Sequence, residues 1–346
     1  MKKFLAILLS LAMTFSLFAL ISCQQEQPGD VPGKDQTPGD SSGEKPEEKP
    51  EEKPEENPEE KPEENPEEKP EENPEEKPEE NPEENPEENP EEKPEEKPEV
   101  PKYMTLKIGS FNIANGSYVS HNLRKIADDI LEFGLDIVGF QEIDRLASRS
   151  QFLDTMKVLA QMTGYEYYYF SKAIEITGNP AVYGQKGEYG TGILSKYPII
   201  FSETTKLASG GKEQRVLGHA EIEIFEDVTV NFFNAHLSFE DKNIRKGQFE
   251  TINEIVSNYD HVILTGDFNI EDLVEFEQLP TLEGINTEDN PLPSYWREET
   301  PPWPTECLDN VMFSDEFDLL ECGVVDDRKH SDHYMVWAEI EFATGK

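Results

Sequence analysis

Thiols are scarce, three cysteines in 346 residues, which weighs against a structural zinc site, since such sites are commonly built from thiolates. Cationic side chains are scarce as well. Against 74 aspartates and glutamates stand 31 lysines and arginines, for a formal net charge of −43. A chain this acidic repels polyanions at long range, which weighs against a protein that grips duplex DNA through its phosphates. It does not exclude an enzyme that screens an anionic substrate with a bound cation. Apolar side chains disappear altogether between Glu47 and Glu99. That stretch has no core to offset the entropy of ordering.

The charge divides the chain into unlike parts. Residues 44–99 hold 28 glutamates and eight lysines, a net −20, while residues 100–346 carry −22 over a length sufficient for one large core. Proline recurs at every fourth position from Pro46 to Pro98, fourteen times, as Pro-Glu-Glu-(Lys/Asn). Each proline removes a donor and disfavours helix at the residue before it. Residues 44–100 therefore read as a disordered, charge-extended linker, with a reach on the order of 170 Å at about 3.1 Å per residue. Residues 23–43 are a short polar segment ahead of it. At the start, Lys2 and Lys3 precede an apolar run from Phe4 to Ile21, and then come Ser22 and Cys23. This is the pattern of a secretory signal over residues 1–22. Leu20-Ile21-Ser22-Cys23 resembles the bacterial lipoprotein signal. That resemblance implies lipidation at Cys23 and a protein exported and lipid-anchored to the bacterial cell envelope, touching membrane through the anchor only. An uncleaved spanning helix fits less well, because Gln24-Gln25-Glu26-Gln27 follows at once.

Residues 101–346 carry the folded pattern. Strands are expected at Leu106–Phe111, Asp136–Phe140, Gly192–Ser195, Val216–Ile224, Val228–Leu237, His261–Thr265, Leu308–Phe313, Leu319–Val325 and Met335–Phe342. Leu123, Ile126, Ile130 and Phe133 recur at helical spacing, with Gly134 as a stop. Further helices are expected over Gln151–Met162 and Lys246–Ser257. The aromatic run Tyr165–Phe170 has the composition of a core strand. Many strands with a few helices between them suggest an α/β fold of two packed sheets with helices outside.

Polar residues gather where these strands end. Phe140-Gln141-Glu142 leaves an acid after an apolar run, and Val230–Ala235 leads to His236, with Asn234 two residues earlier on the same side. Val262–Gly266 leads to Asp267-Phe268-Asn269, where period two again puts Asp267 and Asn269 on one face. Ser331-Asp332-His333 precedes the final strand. Carboxylates and amide oxygens suit a hard divalent cation, and histidine carries protons near neutral pH.

Singly these signals are weak; their order is specific. Asn112, Gln141-Glu142, Gly190–Pro198, Asn234-Ala235-His236, Gly266–Asn269, Leu308-Asp309 and Ser331-Asp332-His333 occur in that sequence. The pattern resembles the endonuclease/exonuclease/phosphatase superfamily, which includes pancreatic deoxyribonuclease, exonuclease III, bacterial sphingomyelinases and inositol polyphosphate 5-phosphatases. It implies a four-layer α-β-β-α sandwich of mixed sheets with the site at one edge. By the same resemblance Asn112, Glu142 and Asp332 would hold Mg²⁺, or Mn²⁺ in its place. Asp267 and Asn269 would handle the attacking water and the scissile phosphate, and His236 and His333 would contact and protonate phosphate oxygens or serve as base. Asp309 would orient a histidine. Arg215 and Asn234 would meet the substrate, Arg215 through the fork that suits phosphate. One position departs: Asn310 stands where relatives commonly carry an aromatic residue or histidine, which should alter packing or leaving-group contacts more than the metal site.

The activity expected is metal-assisted hydrolysis of a phosphodiester or phosphomonoester by a monomer. Its substrate would be a lipid head group, an inositol phosphate or a nucleic acid. A secreted surface nuclease is the alternative, and a non-catalytic surface spacer would leave the polar set unexplained. Leu308–Phe313 and Leu319–Val325 look like antiparallel neighbours across the Ser314–Asp318 turn. That leaves open a Cys307–Cys322 bridge or two free, semi-buried thiols.

Overall fold

The computed structural model describes residues 100–296, 306–325 and 329–345. The signal segment, Cys23, the polar segment and the repeat linker lie outside the described residues. In chain order the elements are β1 (Tyr103–Asn112), α1 (Arg124–Phe133), β2 (Ile137–Arg145), α2 (Thr155–Thr163), β3 (Tyr167–Ile176), α3 (Pro180–Tyr183), β4 (Gly187–Ser195) and β5 (Ile199–Lys206). Then follow β6 (Val216–Phe225), β7 (Val228–His236), α4 (Lys242–Val256), β8 (Val262–Asp267), β9 (Glu283–Gly284), β10 (Asp309–Phe313), β11 (Phe317–Val324) and β12 (Val336–Ala343). Two of the helices begin elsewhere than hydrophobic spacing suggests, because caps decide the start. Asp154 accepts the Lys157 amide ahead of α2, and Asp241 accepts the Asn243 amide ahead of α4. No helix among the described residues is long and apolar enough to cross a membrane.

The strands form two six-stranded sheets, ordered β11-β12-β1-β2-β4-β3 and β5-β6-β7-β8-β10-β9. Each is mixed, with one parallel pair at its centre, β1 with β2 and β7 with β8. Three apolar clusters separate four layers. Leu106, Ile108, Phe232, Ile263, Val311 and Ile340 meet between the sheets. Ile126 and Ile130 of α1 and Met156 and Leu159 of α2 cover Val138 and Phe140 on one outer face. Phe249 and Ile252 of α4 cover Phe233, Ala235 and Leu264 on the other. The result is the expected α-β-β-α sandwich.

Alternation along the strands explains where polar groups collect. The inner face of β1 reads Leu106, Ile108, Ser110, Asn112, and that of β7 reads Val230, Phe232, Asn234, His236. On β8 the same face carries Ile263, Thr265 and Asp267. Each column begins apolar and ends polar at the same pole, the carboxyl end of both parallel pairs. Just below that pole the sheets are joined by one amide. Asn234 Nδ2 donates to the carbonyls of Phe140 (2.8 Å) and Gly192 (2.9 Å), while its Oδ1 accepts from Gln141 Nε2 (2.7 Å) and Thr265 Oγ1 (3.1 Å). Gly139 is required beside it, since a Cβ there would lie 2.0 Å from Thr265 Oγ1.

Two expectations are corrected. β10 and β11 are not neighbours: β10 pairs with β8 and β9, and β11 pairs with β12 in the other sheet. Ser314 is tied at N and Oγ to the start of β8, so the short turn after it carries the chain across the sandwich. Cys307 and Cys322 are accordingly free. The Tyr-rich strand is also no core strand, because β3 lies at the edge of its sheet with a mostly half-buried pattern.

Candidate active site

The polar pole opens into a cavity of about 720 Å³ lined by Glu142, Arg149, Tyr189, Arg215, His236, Phe239, Asp267, Asn269, Tyr295, Asp332 and His333, among others. Asp267, at the end of β8, is its focus. Its Oδ2 accepts from Asn112 Nδ2 at 2.9 Å and lies 3.4 Å from His236 Nε2 and 3.5 Å from His333 Nε2. Its Oδ1 accepts the Asn269 amide at 3.1 Å. Four strands from both sheets thus deliver Asn112, Glu142, His236 and Asp267 to one spot, and His333 joins them from just before β12.

Glu142 reaches the cavity through a defect in β2. Phe140 pairs with Gly192 and Ile143 with Gly190, so Gln141 and Glu142 share one partner position. A bulge of this kind re-aims side chains, and Glu142 takes φ +57 to make it. For a non-glycine residue that left-handed backbone is strained, at a cost of order 1–3 kcal/mol. After the bulge the inward face passes to Asp144. Asn112 Nδ2 bridges Glu142 Oε1 (3.3 Å) and Asp267 Oδ2 (2.9 Å), while Asn112 Oδ1 accepts the Ala114 amide. In this arrangement Asn112 holds two carboxylates together and its oxygen is already engaged.

The two histidines sit in opposite electrostatic settings. His236 is held well below its ordinary value by burial first, then by the positive charges of Arg215 and His333, so it is neutral. For His333, burial is the largest single effect and opposes charge, yet Asp309 and Asp267 outweigh it and push the imidazole up to about 10. Asp309 Oδ2 lies 2.8 Å from His333 Nδ1 and also accepts Ser294 Oγ at 2.6 Å. Asp309 is thus the hydrogen-bond partner of His333 Nδ1. Glu142 is raised by burial above all, with the field of Asp332 adding to it and the Asn112 hydrogen bond opposing. Asp267 is raised by burial too.

A divalent cation fits this donor set. Glu142 and Asp332 are carboxylates crowded at one cavity, and the burial and mutual repulsion that raise Glu142 are relieved by positive charge. Asp267, Asp309 and His333 also offer ligand atoms within 4.8 Å of one another. In that trio His333 Nδ1 and Asp309 Oδ2 are paired with each other, which leaves His333 Nε2 beside Asp267 and Asp309 Oδ1 without a partner. Glu142, Asp332 and Asp267 all line the one cavity, with Asp267 common to both groups of carboxylates.

Asn234 is not brought to the cavity. Its amide is fully buried with every hydrogen-bonding position used inside the sandwich, so it braces the site and does not touch substrate. Asn310 faces away as well, pairing through Oδ1 and Nδ2 with the backbone of Asn286, which makes its departure one of packing. Sequence reasoning missed Arg149, Tyr189 and Tyr295. Asp144, two residues beyond Glu142, was the available signal for the first two: it is the cross-strand partner of Tyr189 and the ion-pair partner of Arg149. Tyr295 packs its ring against His333 with centroids 4.7 Å apart, a loop contact with no local signature.

Residues 109–333 match the family model described as the Endonuclease/Exonuclease/phosphatase family. No curated protein matches. An endonuclease/exonuclease/phosphatase from Beutenbergia cavernae DSM 12333 superposes with a TM-score of 0.58 at 20% identity, over 69% of this chain and 72% of its own. A mannosyl-6-phosphatase from Bacteroides thetaiotaomicron VPI-5482 gives 0.54 at 18% identity, over 68% of this chain and 99% of its own. The human Nocturnin catalytic domain with bound sulfate gives 0.52 at 17% identity, over 70% and 97%. At these identities the likeness is one of fold.

Proposed function

This chain belongs to the endonuclease/exonuclease/phosphatase family, whose members are hydrolases of phosphoesters, and we propose that it is a Mg²⁺-dependent phosphoesterase working at the pole of the sandwich. The observation that carries the proposal is the convergence on Asp267 Oδ2 of Asn112, His236 and His333, with Asp309 behind His333. Glu142 and Asp332 would hold the cation beside Asp267, and when bound it would neutralise phosphate charge and polarise a phosphoryl oxygen. Arg215 and the His333 imidazolium then meet the phosphate oxygens. Asp267 aligns water for in-line attack and takes its proton, with neutral His236 alongside it. As the P–O bond breaks, the leaving oxygen takes a proton from His333, which Asp309 keeps correctly turned. A substrate panel in Mg²⁺ tests this, covering DNA, RNA, sphingomyelin, inositol phosphates, mannose 6-phosphate and p-nitrophenyl esters. Hydrolysis of at least one class is expected, and no turnover of any would count against it.

The same reading extends to location. The protein would be exported, acylated at Cys23 and held to the envelope through the repeat linker. In support, the signal-like segment ends in Leu20-Ile21-Ser22-Cys23, and β1 enters the sandwich at Tyr103, roughly 30 Å along the strand from Asn112. An anchored chain would thus leave its site open. Cys23→Ser should release the protein or leave the precursor uncut. A variant that fractionates and migrates like the parent would refute the anchor.

A further inference from the structure

One guanidinium in the cavity has no part in that hydrolysis. Arg149 stands on a short loop between β2 and α2 and lies against the floor made by Asp144 of β2 and Tyr189 of β4, which are direct cross-strand partners. Its Nε donates to Asp144 Oδ2 and its Nη2 to Asp144 Oδ1, both at 2.8 Å, and its guanidinium carbon sits 5.2 Å from the Tyr189 ring centre. Asp144 is fully buried, yet the Arg149 side chain is 49% exposed and lines the cavity. The fork spends two of its five N–H groups on Asp144, and Nη1 takes no part in that pair.

The loop that presents it is firmly held. Ser148 donates its amide to the Thr177 carbonyl at 2.9 Å. Leu146, Gln151 and Phe152 take φ of +54, +59 and +58 around it. Gly187 permits the approach, since a Cβ there would lie 2.8 Å from Ala147 Cα. A carboxylate needing only neutralisation does not require its partner to be laid open on a catalytic cavity. Arg215 lies close to the same tyrosine; its Nη1 pairs with Glu213 Oε1 at 3.1 Å, and its Nε is buried without a hydrogen-bond partner. Tyr189 is therefore flanked by two guanidiniums.

Each guanidinium already faces a carboxylate, Arg149 that of Asp144 and Arg215 that of Glu213, so the pair brings N–H donors and partly neutralised positive charge to the cavity. A phosphodiester carries one negative charge, whereas a phosphomonoester near neutral pH carries close to two. We propose that Arg149 is a second phosphate-binding guanidinium acting with Arg215, and that the substrate is a phosphomonoester. The inference rests on reading the cavity as a phosphoesterase site.

The test removes the guanidinium without orphaning its buried partner, in the double variant Asp144→Asn/Arg149→Gln. Turnover of p-nitrophenyl phosphate and bis-p-nitrophenyl phosphate is compared in Mg²⁺, and inorganic phosphate binding is measured by calorimetry in the same buffer. The parent should favour the monoester by about tenfold or more in kcat/KM. In the variant the monoester should lose about tenfold more than the diester, mostly through KM, and the phosphate Kd should rise by about tenfold. Equal losses on both esters, or an unchanged phosphate Kd at the parental melting temperature, would overturn it. Hydrolysis of neither ester by the parent, with no other turnover, would sink the phosphoesterase reading instead, and the phosphate Kd would still decide Arg149. If the double variant melts early, Arg149→Lys serves: it keeps the charge but loses the fork, so phosphate should weaken severalfold, and parental affinity would again overturn the proposal.

Discussion

Asp267→Asn should reduce turnover by about 10²–10⁴, the span typical of a lost proton-transfer group, while leaving the metal-free domain at least as stable as its parent. The carboxylate is 1% exposed, and burial raises it against the help of His333 and Asn112. A raised folded value means the folded protein keeps a proton that the unfolded chain has already released from about pH 4 upward. The unfolded state then binds fewer protons, so stability falls as pH climbs toward the folded value. An amide of the same shape removes that loss. The advantage of the Asp267→Asn variant should therefore be absent at low pH, grow through the weakly acidic range, and level off above the folded value. Urea unfolding of both proteins at several pH values, beside steady-state kinetics, measures the two effects separately. Parental turnover would remove Asp267 from the chemistry. A stability loss growing with pH would show that the carboxylate supports the fold.

Much of this site could be read before the fold was known, and the reason is geometric. Period-two alternation assigns Asn112, His236 and Asp267 to inward faces, and parallel central pairs bring those strand ends to one pole. Alternation gives the face but not the depth. Asn234 shares a face with His236 and is nevertheless one layer too deep to meet a substrate, because Gly139 leaves the opposite sheet room to be bridged there. The misplaced β10–β11 hairpin fails for a related reason. A short turn between two strands looks the same whether it joins neighbours or crosses between sheets, and here the long-range tie of Ser314 to Val262 decides. Arg149 and Tyr295 ride on loops, where no periodicity points inward. Glu142 was legible as an acid after an apolar run. Its bulge was not, since the extra residue shows only against the pairing of β4.

The largest effect expected is on removal of the cation. Glu142 and Asp332 share the cavity with Asp267, and burial and mutual repulsion keep Glu142 reluctant to ionise without positive charge nearby. An anionic phosphate entering that field meets carboxylates first, and among the described lining residues Arg215, Arg149 and His333 oppose them. Losing several kcal/mol of charge stabilisation corresponds to a rate loss of about 10³ or more. Glu142→Gln keeps the shape and removes a ligand charge, so it should demand a far higher Mg²⁺ concentration for half-maximal rate. Because protons compete for these carboxylates, the parental requirement should ease as pH rises through neutrality. The decisive measurement is turnover of p-nitrophenyl phosphate by the purified protein in excess chelator, before and after Mg²⁺ is restored, for the parent and Glu142→Gln. Near-zero turnover in chelator, recovery of the parent with Mg²⁺, and a right-shifted Mg²⁺ curve for the variant are expected. Undiminished turnover in excess chelator, or superimposable Mg²⁺ curves for the two proteins, would contradict metal-dependent hydrolysis at this site.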